Sequence, residues 1–267
     1  TQVAGDFSDK VDGLAGEGLT VGDVLTAYDL LLQDARLDYV NGIEYYYLDN
    51  ADDEDACTLT GFELHYLIDD DLQASYTQSV DAAVDEVVAQ VRASSAASDE
   101  EVALAAAEAL QARCLGVSGS TSTLFCAYGC LVEGNAVGKG FADAYKLVLD
   151  QLGIDCLVLH DTGAGDDAGT YWNLVNVDGS WYHVDLYWDS RTKKSEQATL
   201  LYFLCNDDAM RAGGASSWDA PARVPQGYYD KVAGSSEQSR MALAQDLWKK
   251  MLDQGAPSLD GIERYRL

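Results

Sequence analysis

Basic residues are scarce: 17 Lys and Arg stand against 45 Asp and Glu in 267 residues, a net charge of -28 at pH 7. A field of that sign repels phosphate backbones and anionic lipid surfaces, so neither nucleic acid nor a membrane surface is expected as a partner. Long apolar runs are missing as well. No window reaches the roughly 18 consecutive apolar residues of a membrane span, and the start, Thr1-Gln2-Val3-Ala4-Gly5, carries no basic-then-apolar leader. Cysteine is present six times, too few for a disulfide scaffold of this length, and without a Cys-x-x-Cys pair. The three histidines, His65, His160 and His183, lie far apart in sequence. No metal and no cofactor are expected, and the thiols are expected to pack as small hydrophobes. The acidic stretch 49–55 lacks the Asp-x-Asp-x-Asp-Gly order of a calcium loop, so it is expected as a solvated connection.

What is present suffices for a large core, since 48% of the residues are apolar. Residues 1–20 are Gly- and Asp-rich and are expected as a loose arm. Thr20 is placed as the cap of a helix carrying Val21, Val24, Leu25, Tyr28 and Leu31. Strands are expected over 43–48 and 58–68, and a helix over 72–93 with Val80, Val84, Val87 and Val91 facing inward. A polar break at 94–98 gives a soft boundary before a helix capped by Asp99 and a short apolar helix over 124–131. The helix over 139–152 has Phe141, Ala144, Tyr145, Val148 and Leu149 on its inner side and Gly153 as its stop. A buried strand at 156–159, a Gly/Asp loop at 161–169 and a hairpin follow. Asp178-Gly179 is a strong signal for a two-residue type I′ turn between strands 171–177 and 180–187. Helices are expected again at about 197–204 and 235–252, with irregular chain between.

The hairpin register follows from the turn. Val177 opposes Ser180 and Trp172 opposes Asp185, so Thr170, Trp172, Leu174, His183, Asp185 and Tyr187 share one face. A helix starting at Gly138 can set its positive end against that face, and such a position stabilises a thiolate. Gly138, Lys139 and Gly140 also offer backbone N–H groups and one cation to an anion.

Three words in order carry a resemblance: Val137-Gly138-Lys139-Gly140-Phe141-Ala142, Thr170-Tyr171-Trp172-Asn173, and Trp181-Tyr182-His183-Val184-Asp185 with Trp188. They resemble the Val-Cys-x-Gly-Tyr-Ala, His-Ala-Trp-Asn and Trp-Tyr-x-Val-Asp words of the transglutaminase-like superfamily, related in fold to papain-like cysteine proteases. The resemblance covers about residues 100–205. It implies an α+β fold with a helix packed on an antiparallel sheet, preceded by a helix-and-hairpin region. The expected division is 1–98 for that N-terminal region, 99–234 for the core, and 235–267 for a C-terminal helix packing on the core.

The departures from those words decide the expected chemistry. Gly138 stands where the resemblance puts the nucleophilic Cys, and Thr170 where it puts the base His; Asp185 alone keeps the orienting carboxylate. Glycine has no side chain to attack a carbonyl, and threonine cannot take up a proton near neutral pH. The expectation is a catalytically inactive relative, a monomer that binds a peptide or protein ligand, with Lys139, Gly140, Trp172 and His183 as binding candidates. Bacterial members of the family imply a secreted or cell-surface, cell-wall-associated setting. The alternative is a cysteine-type acyl transferase or peptidase with relocated groups, for which Cys130 and Cys156 are the nearest thiols and His183 and His160 the available imidazoles. A third is a purely structural domain. The plain role for His183 is a satisfied structural histidine, and for Asp185 a buried, hydrogen-bonded carboxylate.

Overall fold

The computed structural model describes residues 7–31, 34–160, 171–192, 202–207 and 210. The expected loop at 161–169, Thr170, the helix over 235–252 and the irregular 213–227 stretch lie outside the described residues.

The chain is α+β. Strand β1 (Phe7–Asp12) and helix α1 (Val21–Leu31) lead into β2 (Val40–Leu48) and β3 (Thr58–Tyr66). The three strands form an antiparallel sheet in the order β1-β3-β2. The expected loose arm is therefore corrected over 7–12, which pairs from Phe7↔Tyr66 to Asp12↔Gly61. Every residue of β1 is exposed, so the ladder to β3 holds this strand, and no apolar pattern marks it in the sequence. Helix α1 starts as expected: Thr20 Oγ1 accepts from Asp23 N at 3.2 Å and Asp23 Oδ2 accepts from Thr20 N at 2.9 Å, a reciprocal cap.

Helices α2 (Asp70–Ala93) and α3 (Asp99–Arg113) follow, capped by Asp69 and Ser98. The cap of α3 is Ser98, one residue before the expected Asp99, because Ser98 forms a capping box with Glu101. Val80, Val84, Val87 and Val91 of α2 are buried together with Leu110 of α3 and Tyr145 and Val148 of α4 (Gly138–Leu152). The break at 94–98 thus separates two helices of one core. The first sheet joins this core at its end, where Leu67 and Ile68 are buried.

Between α3 and α4 the chain forms a short parallel pair, β4 (Leu115–Gly116) with β5 (Asn135–Ala136). The single helix expected over 124–131 is corrected to a 3₁₀ turn, Ser122–Phe125, and a wide π turn, Gly129–Glu133. They are separated at Cys126, which is extended at φ -117 and ψ 157. The interruption has a partner: Ala127 N donates to the distant Asp38 carboxylate.

Strands β6 (Cys156–His160), β7 (Tyr171–Val177) and β8 (Ser180–Val184) form the second antiparallel sheet, in that order. The turn is as expected, with Asp178 at φ 51, Gly179 at φ 80, and Val177 opposite Ser180. The second strand is shorter than expected. It ends at Val184, and Leu186–Thr192 is helix α5, not strand. The expected helix near 197–204 is a turn where described, over 202–204, and Cys205 pairs as a bridge with His183.

Candidate functional site

The site is built from the first turn of α4, the end of β8 and the start of α5. Helix α4 begins without a side-chain cap: Val137 is extended, and its carbonyl receives the Phe141 N–H at 3.1 Å. Val137 N is spent on Leu124 O at 3.0 Å, which ties the helix start to the 122–125 turn. Gly140 makes that approach possible. A methyl there would stand 2.6 Å from Leu124 O and 2.8 Å from Cys126 O, both backbone atoms.

Lys139 sits in the first turn, where the helix dipole opposes a cation. Its ammonium is held by Asp143 Oδ2 at 2.8 Å, one turn along, and by the Asp38 carbonyl at 2.7 Å. Burial alone would lower the Lys139 pKa, but Asp143 and Asp38 hold it above its ordinary value. The Asp38 carboxylate in turn accepts from Tyr76 Oη and Ala127 N. Burial first, and then the neighbouring Asp143 charge, raise the pKa of Asp38 to about 7 against the pull of Lys139. The binding candidates Lys139 and Gly140 therefore stand within a buried polar knot that links the 34–40 segment, α2, the 126–127 corner and α4.

The sheet contributes the second layer. Helix α4 lies on the face of Asn173, Val175 and Val184, and Asn173 Nδ2 donates to Ala142 O at 2.8 Å. This corrects the expectation that the helix start faces Trp172 and His183, which alternation points to the other side. The valine face offers the continuous apolar surface that α4 buries. On the opposite face Trp172 Nε1 donates to His183 Nδ1 at 2.9 Å, and His183 Nε2 meets Asp207 Oδ1 at 2.9 Å. A donor on Nδ1 leaves the proton on Nε2, so His183 is a neutral imidazole with both nitrogens engaged. It is fully buried, and Trp172 is 3% exposed.

Asp185 follows the last strand residue and caps α5. Its Oδ1 accepts from Trp188 N at 3.0 Å, and the Tyr187 N–H assists. Burial outweighs both hydrogen bonds and raises its pKa to about 7. Two residues on, the Tyr187 ring packs against Phe141 with centroids 6.3 Å apart. Phe141 lies three residues after Gly138, so the first turn of α4 and the start of α5 meet through this pair. Gly138 is buried, and Thr170 lies outside the described residues.

All six cysteines are buried thiols. Desolvation pushes the pKa of Cys126, Cys130 and Cys156 well above the ordinary thiol value, and Asp38 pushes Cys126 further up. A buried thiol of this kind is a poor nucleophile. His160 stacks on Tyr171 with ring centroids 4.5 Å apart. Among the described residues no group of three or more His, Cys, Asp or Glu could hold a metal ion, and no helix is long and apolar enough to cross a membrane.

Four groups escaped the sequence: Asp38, Asp143, Asn173 and Asp207. Asp143 had a signal, the Lys139 spacing of four on one helix. Asn173 had one in its place beside Trp172 in the second word. Asp38 and Asp207 reach partners far away in sequence, and no local pattern marks them.

Comparison with protein-family models and with curated proteins gives no match. Among solved structures the chain is similar to a transglutaminase (TGase), at 10% identity and a TM-score of 0.35, over 55% of this chain and 44% of that one. It is also similar to a candidate cysteine protease from Cytophaga hutchinsonii, at 15% identity and a TM-score of 0.33, over 55% of this chain and 61% of that one. The matched region spans about half the length of these relatives, and at these values the backbone likeness decides nothing about chemistry.

Proposed function

We propose that the chain is a transglutaminase-like, papain-related domain that has lost acyl transfer and works as a binding module for a peptide or protein ligand, in a secreted or cell-surface setting. One observation carries this reading: the residue that opens α4, where the resemblance calls for a cysteine, is the buried Gly138. The surroundings agree with it. The nearest thiols are buried with raised pKa values, the Lys139 ammonium is already paired, and the Asp185 carboxylate is engaged as a helix cap. Trp188 supplies a stacking surface beside Asp185. It is 45% exposed, with the Arg191 guanidinium 6.0 Å from its ring centroid.

Native-state alkylation followed by peptide mass spectrometry tests the loss of chemistry. Uniformly slow labelling of the six thiols is expected. A single hyper-reactive cysteine near the start of α4 would contradict it and favour the relocated enzyme. The binding role is tested by capture of peptide ligands from the native cell-surface fraction. Capture is expected with the parent protein and lost with Trp188→Ala, and equal capture by both removes Trp188 from the proposal.

A further inference from the structure

The end of α3 runs beside the wide turn Gly129–Glu133, and hydrogen bonds tie the two together on either side of one residue. Arg113 Nε donates to Leu131 O, and Leu115 N donates to Gly134 O at 2.9 Å. The residue between those two donors is Cys114, which caps the C-terminus of α3, and the residue before Leu131 is Cys130. Their thiols stand within hydrogen-bond reach of each other, both sealed in the core. Three of the other thiols are engaged elsewhere. Cys126 Sγ meets Ser122 O at 3.8 Å and lies beside Asp38, Cys156 Sγ takes the Asn173 amide at 3.4 Å, and Cys57 Sγ donates to Asp53 O at 3.6 Å.

The cover over the pair is thin. Leu115 is 61% and Val132 41% exposed, and β4 is held to β5 over two residue pairs. Local opening of this edge is the route by which a small reagent reaches the sulfurs. Two adjacent thiols need only a short approach to reach the disulfide bond length of about 2.05 Å.

We propose that Cys114 and Cys130 form a disulfide under oxidising conditions, with a low-molecular-weight disulfide such as oxidised glutathione as the electron acceptor. The Cys114 thiolate attacks one sulfur of the reagent, which makes a mixed disulfide and expels one glutathione thiolate. The Cys130 thiol then loses its proton and attacks Cys114 Sγ, which closes the protein disulfide and expels the second. The protein gives up two electrons and two protons, and the reagent takes them as two thiols. Cys130 is the second to react. Burial first, and then the neighbouring Cys114 sulfur, raise its pKa against the pull of Arg113, so little of it is thiolate near neutral pH. The same property protects the product, because a thiol of high pKa is a poor leaving group.

The bond closes the segment 115–129 into a loop. That segment seats the start of α4, through Val137 N on Leu124 O at 3.0 Å, and carries the Ala127 N–H that meets Asp38. Oxidation therefore staples one wall of the candidate site. This inference is independent of whether the domain retains chemistry.

The test uses the full chain, reduced, freed of reductant and incubated folded with oxidised glutathione. The protein is then denatured in an alkylating agent and mapped by non-reducing peptide mass spectrometry. A peptide pair joined through Cys114 and Cys130 is expected, with the other four thiols alkylated and the melting temperature raised by about 5–10 °C. Cys114→Ser should show neither the joined pair nor the rise. Six alkylated thiols, a bond to any other cysteine, or a glutathione adduct that persists on Cys114 or Cys130 would each overturn the proposal. These readings come from the parent protein, so they decide the matter even where the variant does not fold.

Discussion

Asp185→Asn should make the protein more stable at neutral pH. The carboxyl is held inside the fold with its pKa raised from 3.8 to about 7, and burial is the main cause. The folded state therefore binds this proton about three pH units more tightly than the unfolded chain does. At about 1.36 kcal/mol per unit, this is on the order of 4 kcal/mol of stability. It is fully present below about pH 4, shrinks as the pH rises, and is gone above about pH 7. Asparagine keeps the acceptor that Trp188 N uses at 3.0 Å and carries no charge to desolvate. The variant should match the parent near pH 4 and exceed it by about 2–4 kcal/mol at pH 8. For a domain of this size that is roughly 5–15 °C in Tm. Near-UV circular dichroism melts of both proteins between pH 4 and 8 give the comparison. The general effect of net charge on stability is nearly the same in both, so the difference curve isolates residue 185. A variant less stable than the parent at pH 8, or a difference that does not change with pH, would refute the reasoning.

Three further outcomes follow from the geometry. Lys139→Met leaves Asp143 buried without its 2.8 Å partner and should cost about 3–5 kcal/mol in urea unfolding, more at pH 8 than at pH 5, where Asp38 and Asp143 are more readily protonated. Trp172→Phe removes the N–H that holds His183 Nδ1 at 2.9 Å; a loss of about 1–3 kcal/mol and a shifted imidazole ¹⁵N spectrum are expected, whereas an unchanged spectrum would show that the indole does not set the tautomer. Gly140→Ala drives a methyl against Leu124 O and Cys126 O, at 2.6 and 2.8 Å, and should lower stability by about 1–3 kcal/mol by thermal melting; a neutral result would mean that the 122–126 turn moves freely.

The elements with strong local chemistry were readable in advance. Gly153 at φ 84 ends α4 where a left-handed stop was expected, and the Asp178-Gly179 turn set the register of β7 against β8. Strand β1 was not readable, because Phe-Ser-Asp-Lys-Val-Asp buries nothing and is held by its ladder to β3 and by polar contacts such as Tyr66 Oη on Asp9, none of which leaves an apolar pattern. Helix α5 was hidden because the alternation of β8 runs on through Leu186 and Tyr187, and only the Asp185 cap breaks it. The face on which α4 packs was misjudged for a related reason. The aromatic and histidine side chains drew attention to one side, while Val175, Val177 and Val184 offered the larger apolar surface on the other. Within the site, Gly138 and Asp185 were visible through the motif words. The knot around Asp38 was not, since its bond to Ala127 spans 89 residues and only the folded chain brings the two together.

The proposed loss of acyl transfer is tested most directly by turnover. The purified chain is incubated with a glutamine-containing peptide and an amine donor, and ammonia release and isopeptide product are followed beside an Asp185→Ala variant. No product above the no-enzyme control is expected from either protein. Product formed by the parent and abolished in the variant would show that a nucleophile operates beside Asp185 after all.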